Sequence, residues 1–184
     1  SIKQAVRCGV EVIYHASFTD NEALDLLEAN KDKVFVAPGL SVIFKLLYEG
    51  EAYGFSRAQA QALGYEEELA AAVESMKQMH RRGIRVLPGG DYGFAWAPHG
   101  TNAMDLQYFV KHCGMSPMDA LVAATRHGGA IMRMPGQLGE VREGQLADLL
   151  LVDGDPLADL GILLDRKRLL AIMKDGVFHK APDV

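Results

Sequence analysis

Three short apolar runs, each followed by a helical stretch, decide most of what this chain can fold into. Val10 to Tyr14, Val34 to Ala37 and Ile84 to Leu87 are rich in β-branched side chains, the pattern of strands buried on both faces. Helical spacing is predicted over Ser1 to Cys8, stopped by Gly9, and over Asn21 to Ala29 under a cap at Thr19 or Asp20. Tyr65 to Arg82 is a third helix, with Leu69, Val73, Met76 and His80 at helical intervals. Strand–helix alternation of this kind means parallel strands joined by right-handed crossovers. Three strands are few for a complete domain. A part-barrel and a small open sheet are the two solutions.

One connection is long. Leu40 to Gly64 reads as a connection holding a short helix over Val42 to Tyr48 and another opened by Ser56. Connections of this length in compact domains are often lids or binding loops. After the third strand, Asn102 is expected to cap a helix reaching Cys113, and Ser116-Pro117 to open another reaching about Arg133. Past Pro135 the texture changes. Leu138 to Val141 and Ala147 to Val152 read as strands, and Leu169 to Lys174 pairs with Val177 to Lys180 across the Asp175-Gly176 turn. Residues 1–134 are therefore expected to form the α/β unit and residues 135–184 a small β segment, with the boundary near Met134 to Gln137.

The 184 residues are 49% apolar and 23% charged, the balance of a globular chain. A formal charge of -5 argues against a nucleic-acid binder, which normally carries a basic face. No apolar run approaches the ~20 residues of a membrane span, and the amphipathic N-terminus lacks a small-residue cleavage site. Cys8 and Cys113 have no metal spacing and are expected to be reduced core thiols. A cytoplasmic protein is the reading that follows.

Chemistry is concentrated between Arg81 and Asn102. Gly89 and Gly90 end the third strand, and Asp91 follows at once. A carboxylate just past the C-terminal end of a buried strand sits where α/β sheets place their active groups; an Asp beside Gly also fits an ordinary turn. His15 holds the equivalent position after the first strand. Imidazole and carboxylate are a donor pair suited to Zn²⁺ and similar ions, although a strand-end histidine with a backbone partner is an equally ordinary object. His99 either orients a substrate or is a plain loop residue. Tyr14, Phe44, Tyr48, Tyr53, Phe55, Tyr92, Phe94 and Trp96 are expected around the mouth loops, as an apolar pocket or as lid packing. His80, His112, His127 and His179 read as structural or surface residues.

Several stretches together resemble the amidohydrolase superfamily, and within it the imidazolonepropionase-like branch with its Xaa-Pro and Xaa-Arg dipeptidases. Gly9-Val10-Glu11-Val12-Ile13-Tyr14-His15 resembles the sixth strand with its metal-site histidine. Pro88-Gly89-Gly90-Asp91-Tyr92-Gly93 resembles the eighth, with Gly90 where Thr is usual. His99-Gly100-Thr101-Asn102 resembles the turn after it, and Ser116 to Thr125 the helix that follows. Gly144-Gln145-Leu146-Ala147-Asp148 through Asp153-Gly154-Asp155-Pro156-Leu157 resembles the start of the C-terminal β-sandwich segment. The family's His-x-His of strand one, and its ligands of strands four and five, are absent.

This resemblance implies the C-terminal part of a (β/α)₈ barrel, strands six to eight, followed by a small β-sandwich segment. It implies a metal-dependent hydrolase of an amide, peptide or cyclic-amide C–N bond, with one or two divalent ions, Zn²⁺ by donor type. Asp91 and His15 would be the catalytic residues and metal ligands, and His99, Tyr14 and Tyr92 would face the substrate. Ser1 standing inside a helix fits a fragment, expected to be inactive alone. Its expected partners are a small amide or peptide substrate, the missing N-terminal half of the barrel and further copies of itself; neither nucleic acid nor membrane is among them. A deaminase of the same superfamily would use the same two residues. A non-catalytic remnant serving as an interaction module would need neither.

Overall fold

The computed structural model describes residues 1–134 and 136–182. Three parallel strands, β1 (Val12–Tyr14), β2 (Phe35–Ala37) and β3 (Arg85–Val86), form one sheet in that order. Val12, Ile13 and Tyr14 pair with Phe35, Val36 and Ala37, and Phe35 and Val36 with Arg85 and Val86. The strands are shorter than the apolar runs because the ladder continues only as single bonds at their ends: the His15 amide donates to Ala37 O (2.9 Å) and the Leu87 amide to Val36 O (2.8 Å).

Helices pack against this sheet. After α1 (Ile2–Arg7), α2 (Asn21–Ala29) starts at Asp20, whose carboxylate accepts from the Ala23 amide (2.8 Å), and it buries Ala23, Leu24 and Leu27. The presumed long connection is largely helical: α3 (Leu40–Glu49), a 3₁₀ turn (Gly50–Tyr53) and α4 (Arg57–Ala62), which Ser56 and Gln59 close with a reciprocal cap. Its amphipathic α3 buries Leu40, Ile43, Phe44, Leu46 and Leu47, so it packs as core and not as a lid. Then α5 (Tyr65–Arg81) runs with three glutamates in its first turn and His80 and Arg81 in its last, the arrangement the helix dipole favours. Val36, Val86, Leu27, Leu40, Met76, Met79 and Phe109 meet in one cluster between sheet and helices.

Beyond β3, α6 (Met104–Cys113) begins at Ala103, not at Asn102. The Asn102 side chain is used elsewhere, accepting from the Gly100 amide (3.1 Å). Ser116 and Asp119 form the reciprocal cap of α7 (Pro117–Val122). The helix expected to run on to Arg133 is interrupted by a π turn (Ala123–His127) and ends as α8 (Gly128–Ile131).

The expected strand over Leu138 to Val141 does not form. Gly139 sits at φ +92° against the chain at Thr125, so close that a Cβ would lie 2.5 Å from Thr125 O. Glu140 turns to Arg126 and Arg142 (2.6 and 3.1 Å). This close approach overrides the local alternation. A second, antiparallel sheet follows: β4 (Leu149–Val152), β5 (Leu169–Lys174) and β6 (Val177–Lys180), in that order. Among the described residues no further sheet packs against it. A 3₁₀ turn (Leu160–Leu164) carries buried Leu160 and Ile162, and this turn contacts α6. The expected boundary includes Pro135, which lies outside the described residues, as do Asp183 and Val184 of the expected β segment. Neither cysteine is paired; Cys113 is buried, whereas Cys8 is exposed and not the core thiol expected.

Candidate functional site

The parallel register sets the site. His15 comes one residue after the Tyr14–Ala37 pair, and Gly39 two residues after it, so both stand at the C-terminal end of the sheet. Asp91 arrives at the same end five residues beyond Val86. A methyl group on Gly39 would stand 2.8 Å from His15 Nδ1, 3.0 Å from His15 Cε1 and 3.9 Å from Asp91 Cβ. One point in space therefore lies within 4 Å of both the imidazole and the base of the carboxylate, and the absent side chain of Gly39 leaves it open.

His15 and Asp91 share a second property. Their φ angles are +65° and +55°, and Ala16 adds +56°. Non-glycine residues adopt this left-handed region sparingly, Asn, Asp and His most readily, and such outliers cluster at active sites. Both side chains are exposed to solvent.

The segment carrying Asp91 is fastened from beneath by residues that sequence reasoning missed. Asp105, 1% exposed, is hydrogen-bonded through Oδ1 to Ser41 Oγ, and its Oδ2 accepts from the Gly89 amide (2.9 Å). Ser41 Oγ also lies 3.0 Å from the Tyr92 hydroxyl, which donates to Asn102 O (3.1 Å). The Val42 amide, in the first turn of α3, donates to Gly90 O (3.1 Å). Gly90 has no room for a side chain: a Cβ would fall 2.5 Å from Tyr92 Cζ and 2.7 Å from Ser41 Cβ. Burial without a cation raises the Asp105 carboxyl above the usual range, opposed by the bonds from Ser41, Gly89 and Tyr92. Burial and the nearby Asp105 charge push the Tyr92 phenol up as well. One signal for Asp105 was present in the sequence. It stands four residues before Phe109 and eight before Cys113, an acid on the buried stripe of a helix.

The other expected site residues divide. Tyr14 is 69% exposed at the end of β1. Tyr92 is half-buried, its hydroxyl committed to Ser41 and Asn102. His99 is exposed, with its Nε2 3.5 Å from where a Cβ on Gly93 would stand. The aromatic residues form two groups. Phe55, Phe94 and Trp96 gather in the loops (Phe94–Trp96 5.0 Å between ring centres). Phe44 instead packs with Tyr108 (4.3 Å) and Tyr48 between α3 and α6. Among the described residues no group of three His, Cys, Asp or Glu side chains is placed to hold a metal ion.

Comparison with known proteins adds to this geometry. The sequence profile of the amidohydrolase family matches residues 2–178. Ochratoxinase of Aspergillus niger is 27% identical over 187 aligned residues, which take in 100% of this chain and 36% of that protein. The crystal structure of a Xaa-Pro dipeptidase with methionine bound in its active site superposes with a TM-score of 0.80 at 28% identity, over 98% of this chain and 42% of that one. A prolidase complexed with N-methylphosphonate-L-proline gives 0.81 at 26%, over 98% and 42%. The chain thus spans well under half the length of each of these relatives.

Proposed function

The chain belongs to the amidohydrolase family, and from that premise we propose that it carries Asp91 and His15 as catalytic groups of a metal-dependent hydrolase acting on an amide or peptide C–N bond. The observation that supports this most is their convergence on the point above Gly39. The three strands are read as the sixth, seventh and eighth of a (β/α)₈ barrel, and the sheet after them as part of a β-sandwich, with the remaining strands supplied by sequence outside these residues. Residues 1–134 and 135–184 are read as the corresponding two units.

Imidazole and carboxylate fit a divalent ion such as Zn²⁺. Catalytic zinc takes three protein ligands, so at least one more would come from outside the described residues. A bound ion would acidify a water molecule and polarise the scissile carbonyl. Asp91, exposed at the C-terminal end of the sheet, would accept a proton from the attacking water and return it to the leaving nitrogen. His15, close to the same point above Gly39, would hold the ion or polarise the carbonyl. Tyr14 and His99, both exposed, are read as substrate contacts, and Tyr92 with them. The Xaa-Pro dipeptidase and prolidase neighbours make a Xaa-Pro dipeptide the first substrate to try, and ochratoxinase makes an ochratoxin the second. No helix among the described residues is long and apolar enough to cross a membrane, and with two unpaired cysteines the cytoplasm is the compartment proposed.

The test is zinc content and hydrolysis of both substrates by the intact protein. We expect activity that a chelator removes and zinc restores. Ammonia release without C–N cleavage of the peptide would favour a deaminase, and an intact protein inert toward every substrate would favour an interaction module. Residues 1–184 alone, with two converging ligands and the outer edge of β1 unpaired, are expected to lose zinc on dialysis and to self-associate on size exclusion. A zinc-loaded, active monomer would refute that part of the reading.

A further inference from the structure

Asp105 is the most deeply buried acid described, and no cation accompanies it. A polar group held there without charge compensation is costly unless its bonds do something that an apolar residue could not. Those bonds converge on one place. Gly89 is tied to Asp105, Gly90 to the first turn of α3, and Tyr92 to Ser41 and Asn102. Asp91 is the one residue between these anchors that makes no such bond of its own, and it holds the left-handed backbone. A strained conformation persists only where its surroundings over-determine it. We propose that Asp105, acting through Ser41 and the Gly89 amide, is a positioning residue that clamps the Pro88–Tyr92 segment and so aims the Asp91 carboxylate.

The bonding pattern also says which substitution should preserve the clamp. Three contacts run in series from Asp105 through Ser41 and Tyr92 to Asn102 O. The Ser41 hydroxyl donates to Asp105 Oδ1 and the Tyr92 hydroxyl to Asn102 O. Asn keeps an oxygen for the Gly89 amide, and its NH₂ can donate to Ser41 Oγ, which frees the Ser41 proton for the Tyr92 oxygen. Asp105→Asn should therefore hold the segment, whereas Asp105→Leu, which keeps the volume and removes both bonds, should release it. Ser41→Ala cuts the same link by a smaller change and keeps the test decisive should the leucine variant fail to fold.

The experiment is amide hydrogen exchange in the intact protein, read on peptides spanning Leu87 to Tyr92 and, as reference, on α6. In Asp105→Leu and Ser41→Ala we expect exchange of the loop to quicken about tenfold or more while α6 is unchanged, the mark of a local and not a global opening. Asp105→Asn should stay within about twofold of wild type. Unchanged loop exchange in both disrupting variants would overturn the proposal, as would equal loss of protection in loop and helix. Because the purpose assigned to the clamp rests on the reading of Asp91 above, kcat and KM are measured on the same variants. We expect kcat to fall by about 10²-fold, the cost of roughly 1 Å of misplacement, with KM nearly unchanged and activity kept in Asp105→Asn. A looser loop with full kcat would overturn the positioning role. A wild-type protein without any hydrolytic activity would refute the proposed function, leaving the exchange result to decide whether Asp105 holds the loop.

Discussion

Adding one methyl group at Gly39 should separate stability from activity. The new carbon would stand 2.8 Å from His15 Nδ1, and restoring an ordinary contact of ~3.5 Å requires the ring to retreat by roughly 0.7 Å. Overpacking a closed core costs about 1–3 kcal/mol. Here the crowded group is an exposed imidazole on a short side chain, so it can swing aside and the cost should lie near the lower end, about 1 kcal/mol. For a chain of this size that is a fall of ~2–4 °C in Tm. The same displacement at the site should lower kcat about 10²-fold. The assay is thermal unfolding beside hydrolysis of a Xaa-Pro dipeptide by the intact protein, for Gly39→Ala, His15→Ala and the double variant. If the methyl acts only by moving His15, it should add nothing once His15 is gone. Wild-type kcat in Gly39→Ala, or two effects that simply add, would refute the reasoning.

Three further outcomes are expected. Asp91→Asn should abolish turnover with Tm held within about 2 °C, because Asn tolerates the left-handed backbone but cannot carry the proton; near-normal turnover would remove Asp91 from the chemistry. Phe109, fully buried in α6, should cost about 3–5 kcal/mol when cut to alanine, seen as a drop in Tm on the order of 10 °C. The raised Asp105 carboxyl favours the neutral form in the folded state. Its contribution to stability is therefore intact below the ordinary aspartate range, near pH 4, and declines as pH rises toward its folded value. Tm of wild type relative to Asp105→Asn, followed from pH 3.5 upward, should drift down; a flat difference would show that Asp105 does not titrate differently on folding.

What the sequence made legible was whatever rested on local signals. The β5–β6 hairpin follows from Asp175-Gly176, with Asp175 at φ +50° and Gly176 at +76°, and α2 follows from its Asp20 cap. The strand ends at His15 and Asp91 were legible from short apolar runs, the third of them closed by Gly89 and Gly90. Signals that needed a partner were not. Leu138 to Val141 alternates like a strand, but the approach of Gly139 to Thr125 is a tertiary event. Asn102 looks like a cap, yet its oxygen is taken by Gly100. Ser41 and Asp105 are 64 residues apart, and nothing local to either announces the other.

The left-handed backbone at His15 and Asp91 also bears on how this scaffold can change. In a library randomised at these two positions, selection for folding alone already narrows the alphabet. Valine, isoleucine and threonine are disfavoured at such φ angles, while Asn, Asp, His and Gly are tolerated. Apart from glycine, the tolerated set is short, polar side chains, and Asp and His among them bind metals and move protons. The chain path thus enriches the mouth for reactive groups before any selection for turnover acts. A new activity on this framework is reached more readily by exchanging one member of that set for another at residues 15 and 91 than by recruiting the strand neighbour Tyr14.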